Sequence, residues 1–244
     1  MNRTLILCAH RAETPRGRAT VAGLVNAVRR EVQDLDVVDA YVDGAEPTIG
    51  EVVRTTAGPR AVVPLMLAYD RPVSGDIVQA SHLDPTVTVT QPLGPDWVLA
   101  EVGVRRLFEA GARSDDTIVL ASSTMTDARA MEDVSKAARL LSAVWGGRVH
   151  VGTVGGGETG LADAVDVARA YGRRVVVSTY VLTPGAAHDD ILDCGADVVT
   201  APLLDVGPPD ARLVSLVVAR ARSRGSWTPV GGDPGAPGTR LAHQ

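Results

Sequence analysis

Short runs of β-branched and aliphatic residues alternate with amphipathic stretches along almost the whole chain. The apolar runs predict strands at Thr4–Ala9, Asp36–Tyr41, Ala61–Leu67 and Thr86–Thr90, and again at Thr117–Ala121, Val149–Val154, Val175–Val181 and Asp197–Thr200. Between them, apolar positions recur at helical spacing. The predicted helices are Arg18–Val32, Thr48–Thr55, Gly75–Ala80, Asp96–Ala110, Asp127–Val144, Leu161–Tyr171, His188–Cys194 and Pro208–Arg222. Strand-helix alternation of this kind makes βαβ units and parallel sheets, so the fold class is α/β.

The pattern occurs twice. Leu5-Ile6-Leu7 matches Ile118-Val119-Leu120, and Arg16 matches Arg129. Ala61-Val62-Val63 answers Val175-Val176-Val177, and Gln91-Pro92-Leu93 answers Ala201-Pro202-Leu203. The expected organisation is two similar (βα)4 halves, residues 1–113 and 114–222, joined near Ala112–Asp116. Each half is expected to hold a parallel four-stranded sheet flanked by helices, with a cleft between the halves. Ligands of open parallel sheets bind beyond the carboxyl ends of the strands. Residues 223–244 are rich in Gly and Pro, lack periodicity, and read as a tail that is disordered or loosely attached.

Composition narrows the partners. A formal charge of -5 over 244 residues gives no basic field for nucleic acid, so an anionic ligand needs a local arginine cluster. No apolar run approaches the roughly 20 residues of a membrane helix, and the start lacks a signal pattern; a cytoplasmic protein without membrane association is expected. Cys8 and Cys194, far apart in sequence, read as reduced thiols. Aromatics are only 3%, so aliphatic side chains must fill the core and little ring stacking is on offer to a ligand. Gly155–Gly160 fits G-x-G-x-x-G, but it follows a middle strand of its half and no acid stands about 20 residues on. It reads as a tight strand-to-helix turn.

His82 and His150 read as structural or exposed. His10 ends the first strand at a loop bearing Arg11, Arg16 and Arg18, and Asp43 ends the second. His188 opens a short helix, where the dipole disfavours an imidazolium, so a neutral ring that binds metal or moves a proton fits there. An imidazole and a carboxylate converging in one cleft suit Fe2+, Co2+ or Ni2+, and equally suit proton removal from a bound acid.

At this point a family comes into view. The duplicated halves, the strand ending in His10, Asp43-Gly44-Ala45-Glu46-Pro47-Thr48, Val62-Val63-Pro64-Leu65-Met66-Leu67 and Gln91-Pro92-Leu93-Gly94-Pro95 resemble the class II tetrapyrrole chelatases, and most nearly the sirohydrochlorin chelatases. Tyr180 to Asp189 and Gly195-Ala196-Asp197-Val198-Val199 fit as well, so the resemblance spans residues 3–222.

The resemblance implies a chelatase-like fold, no organic cofactor, and insertion of a divalent metal, Fe2+ or Co2+, into a tetrapyrrole such as sirohydrochlorin on the way to siroheme or cobalamin. It implies His10 and Asp43 as catalytic residues, and His10, Asp43 and His188 as metal contacts drawn from both halves. Arg11, Arg16 and Arg71 are the expected holders of substrate carboxylates. Two places depart from the family pattern: Arg11-Ala12-Glu13 replaces the usual residues after the histidine, and Pro72 occupies the position of a second histidine. In the second half Ser123 takes the place of the first-strand histidine, as in many fused members of the family. Proline offers no ligand atom. The alternative is a catalytically impaired homologue that binds a tetrapyrrole or metal as carrier, partner or regulator. A different small-molecule enzyme on the same fold also stays open. Either a monomer or a homodimer is compatible with the sequence.

Overall fold

The computed structural model describes residues 3–10, 12, 14–42, 46–123, 127–155, 159–171 and 174–223. Arg11, Asp43, the centre of the glycine motif and the tail beyond 223 lie outside them. Sixteen elements follow in strict alternation: β1 (Arg3–Ala9), α1 (Pro15–Glu31), β2 (Leu35–Tyr41), α2 (Ile49–Thr55), β3 (Arg60–Pro64), α3 (Arg71–Ser81), β4 (Val87–Val89), α4 (Trp97–Glu109), β5 (Thr117–Ser122), α5 (Ala128–Trp145), β6 (Val149–Thr153), α6 (Leu161–Arg169), β7 (Val175–Thr179), α7 (Ala186–Leu192), β8 (Val198–Val199) and α8 (Ala211–Arg222). Two parallel sheets result, ordered β2-β1-β3-β4 and β6-β5-β7-β8.

Side-chain caps start most of these helices. Thr14, Asp70, Asp96, Asp127 and Asp210 each accept a backbone N–H from the first turn, and Thr48 and Glu51 form a reciprocal capping box. Asp70 and Pro72 move the start of α3 to Arg71, four residues ahead of the helix expected at Gly75, because proline suits a first turn. The third strand ends at Pro64 instead of Leu67: it pairs with β1 only as far as Cys8, and Leu65 then donates its N–H to the Cys8 carbonyl. His188 is the third residue of α7 and does not open it.

Alternate residues of β1 enter different cores. Leu5, Leu7 and Ala9 face a large central cluster, whereas Ile6 and Cys8 face a smaller one under α2 and α3. The second sheet repeats this, with Ile118 and Leu120 facing centrally and Val119 and Ala121 facing α6 and α7. The central cluster takes side chains from α1, α4, α5 and α8 together, so four helices fill the space between the sheets.

The fourth helices change sides. Helix α4 packs on α5, α8 and β7 of the second sheet, and α8 packs on α1, α4 and β3 of the first. A Cβ on Gly103 of α4 would lie 3.2 Å from Leu141 of α5 and 3.8 Å from Ser178 of β7. Related pairs of bonds fasten the exchange. Arg106 of α4 donates to the Leu203 carbonyl at 3.3 Å, and Arg220 of α8 donates to Leu93 at 3.2 Å and Pro92 at 2.8 Å. Arg220 also bridges to the Asp96 cap at 2.7 Å, and Arg105 to the Asp210 cap at 3.0 Å. Between the sheet edges, the buried Tyr180 hydroxyl donates to the Leu67 carbonyl at 2.9 Å. Gly94 sits against this bond, where a Cβ would collide with the Leu67 carbonyl and come within 2.8 Å of the hydroxyl.

Tyr180→Phe removes that donor and leaves a carbonyl buried without its partner. The expected loss is about 1–3 kcal/mol of unfolding free energy in a urea titration; an unchanged midpoint at unchanged slope would show that the bond is dispensable.

Candidate functional site

Each parallel sheet ends all its strands on one edge, and the two edges are tied together by reciprocal contacts. After β1, the Thr14 hydroxyl donates to the Pro184 carbonyl beyond β7 at 3.4 Å, and Gly17 lies so near that carbonyl that a Cβ would be 2.9 Å away. After β3, the Tyr69 N–H donates to Asp133 of α5 at 2.8 Å, and the Arg129 guanidinium lies 4.5 Å over the Tyr69 ring. The residues after each half's third strand thus grip the first helix of the other half.

His10 follows β1 on this edge and is partly exposed. Extending the β1 alternation by one residue places it on the side of Ile6 and Cys8, the side covered by α2 and α3. The Cys8 thiol is pushed up to about 12, first by complete burial and then by the negative charge of Asp76, so it is inert as a nucleophile. His188 lies in the layer outside the second sheet, with its Nε2 3.3 Å from the Thr200 carbonyl at the end of β8. Among the described residues, no three His, Cys, Asp or Glu side chains gather into a metal site.

Arg16 of α1 and Arg71 of α3 both stand on the N-terminal side of the edge contact, each paired across it. Arg16 bridges to Asp205 at 2.8 Å and Arg71 to Asp127 at 3.3 Å. Their side chains are 58% and 73% exposed, so these pairs contribute about 0–1 kcal/mol each and yield readily to another carboxylate. Asp205 is held below its ordinary value: burial opposes this, but the Val206 N–H and Arg16 outweigh it. Tyr69, Arg129 and Asp133 were not singled out from the sequence as a site. The one available signal was the repeat itself, which aligns Arg129 with Arg16.

A family model described as CbiX matches residues 4–110. A sirohydrochlorin cobaltochelatase of Methanosarcina barkeri is 24% identical over 123 residues, 43% of this chain and 95% of that protein. A SirB structure from Bacillus subtilis with Fe3+ superposes with a TM-score of 0.71 at 16% identity, covering 91% of this chain and 95% of the other. The sirohydrochlorin chelatase SirB from Bacillus subtilis subspecies spizizenii in complex with cobalt gives 0.68 at 18% identity, covering 91% and 94%. At these identities the superpositions establish the fold, which is the two-sheet chelatase fold over both halves.

Asp133 titrates at the grip between the halves. Burial raises its carboxyl above the ordinary value of 3.8, against the Tyr69 hydrogen bond and Arg129. The folded state therefore holds this proton more tightly than the unfolded chain. Stability from this group is present below the unfolded value and is lost as pH rises through the raised one. Asp133→Asn keeps an acceptor for Tyr69 and removes the titration. Relative to wild type it should be more stable at pH 7 than at pH 3.5 in paired urea titrations; a difference independent of pH would contradict the assignment.

Proposed function

We propose that this chain is a sirohydrochlorin chelatase-type protein that places Fe2+ or Co2+ in a tetrapyrrole, with the metal as substrate and no organic cofactor. One observation carries the reading. A partly exposed imidazole, His10, stands at the carboxyl edge of β1 in the half that the CbiX model matches, beside an edge contact that carries displaceable arginines.

The chemistry asks for little else. Entry of a dication expels two pyrrole protons, so charge balances once a base accepts them. An imidazole titrates near neutrality and serves as proton acceptor or transient ligand. Asp43, two residues beyond the end of β2 at Tyr41 in sequence, is assigned the companion carboxylate role. Arg16 and Arg71, with Arg11 next to His10 in sequence, hold carboxylates of the macrocycle as forked donors. His188 is left out of this set, because the Thr200 carbonyl engages its ring in the outer layer of the other sheet. The second reading, a tetrapyrrole or metal carrier without turnover, is favoured by Pro72, which has no ligand atom at the start of α3.

Anaerobic mixing with sirohydrochlorin and Co2+, followed by absorption, separates the readings. Metallation faster than the protein-free control supports the chelatase, and a spectral shift without acceleration supports the carrier. No response removes both. His10→Ala should reduce the accelerated rate at least 100-fold with the fold retained by circular dichroism. Arg71→Ala should weaken tetrapyrrole binding several-fold while moving stability by less than about 0.5 kcal/mol; equal binding would take Arg71 out of substrate recognition.

A further inference from the structure

Arg129 and Asp133 stand four residues apart on α5, hence on one face of that helix, and both engage Tyr69 of the other half. Asp133 accepts the Tyr69 N–H at 2.8 Å, and the Arg129 guanidinium lies 4.5 Å over the Tyr69 ring. Two residues beyond Tyr69, Arg71 bridges to Asp127, which stands two residues ahead of Arg129. The backbone of Tyr69, its ring and the start of α3 are thus each fixed across the edge contact, and the ring in turn limits where the guanidinium can sit.

That arrangement suits recognition of an anion. An aromatic face attracts the guanidinium through its charge but offers it no oxygen, so carboxylate remains the best partner for its N–H fork. A fork already seated on a ring loses less freedom on binding than a swinging one. Arg129 is only partly exposed, whereas Arg16 and Arg71 are 58% and 73% exposed and are held by acids of the other half. Arg18, the remaining arginine of the same strand-to-helix segment as Arg16, donates to the Ala12 carbonyl at 3.3 Å and braces its own loop.

The repeat adds a reason of placement. Arg16 and Arg129 are each the second residue of the first helix of their half. Those helices follow β1 and β5, the matching inner strands of the two sheets. Arg16 and Arg71 both come from the N-terminal half, and Arg129 brings a cation to the same contact from the C-terminal half. A tetrapyrrole with carboxylates around its rim, lying across the contact, is then met from both sides.

We propose that Arg129 is a substrate-binding residue that takes a rim carboxylate of the tetrapyrrole from the C-terminal half, with Tyr69 as its positioning residue. This rests on the reading of the chain as tetrapyrrole-binding, and deepens it by naming the group that recognises the substrate from the second half.

The test uses the full chain and sirohydrochlorin, with binding followed by absorption in the absence of metal and Co2+ insertion measured in parallel. Arg129→Ala should weaken binding about tenfold or more and raise KM more than it lowers kcat. Arg129→Lys keeps the charge, loses the fork, and should weaken binding several-fold; it carries the test where Arg129→Ala does not fold. Tyr69→Phe, which keeps the ring, should retain most of the binding that Tyr69→Leu loses, and equal behaviour of these two variants overturns the ring's role. Binding unmoved by either Arg129 variant overturns the assignment and leaves the chelatase reading intact. Binding that depends on Arg129 in a chain that does not accelerate metallation keeps the anchor and sinks the chelatase reading. A wild-type chain that binds no sirohydrochlorin overturns both.

Discussion

Neither sheet can cover its central face with its own helices. The fourth helix of each half lies on the other half's third strand, so β3 is covered by α8 and β7 by α4. The apolar area buried by this exchange belongs to both halves at once, and the shared central cluster shows no division at residue 113. Everything at the strand ends inherits its position from that exchange, because it fixes how the two carboxyl edges meet.

The bonds that surround the exchange are polar, buried or half-buried, and directional. Arg106 and Arg220 each reach a carbonyl of the other half, and Tyr180 spans from β7 to Leu67. Apolar packing alone tolerates sliding of one helix layer on another, whereas a buried donor has one acceptor position. These bonds give the central layer a register. They make the edge contact a fixed mouth, with Thr14–Pro184 on one side and Tyr69–Asp133 on the other.

Within that mouth, charges are held in reserve more than they are neutralised. Arg16 and Arg71 pair with acids of the opposite half at exposed positions, where an incoming carboxylate competes on nearly equal terms. His10, partly exposed, stands at the end of β1 in the N-terminal half. The chemistry proposed for the chain thus draws its base and the anchors Arg16 and Arg71 from the N-terminal half, and the acids that hold those two arginines from the other. This agrees with the match of the CbiX family to residues 4–110 and of the chelatase fold to both halves.

Local pattern was enough for the element order, the parallel pairing and the twofold repeat, because side-chain alternation, helical spacing and capping residues act within a few positions. It was also enough to place His10 at a strand end. The exchange of α4 and α8 was invisible, since an amphipathic helix carries the same apolar stripe whichever sheet it covers. The start of α3 was misplaced because Pro72 looks like a breaker until the Asp70 cap is seen to precede it. His188 read as a free imidazole at a helix start, and only the packing of α7 against β8 delivers its ring to the Thr200 carbonyl. A residue's partner across the fold is decided by where distant elements pack, and no local pattern encodes it.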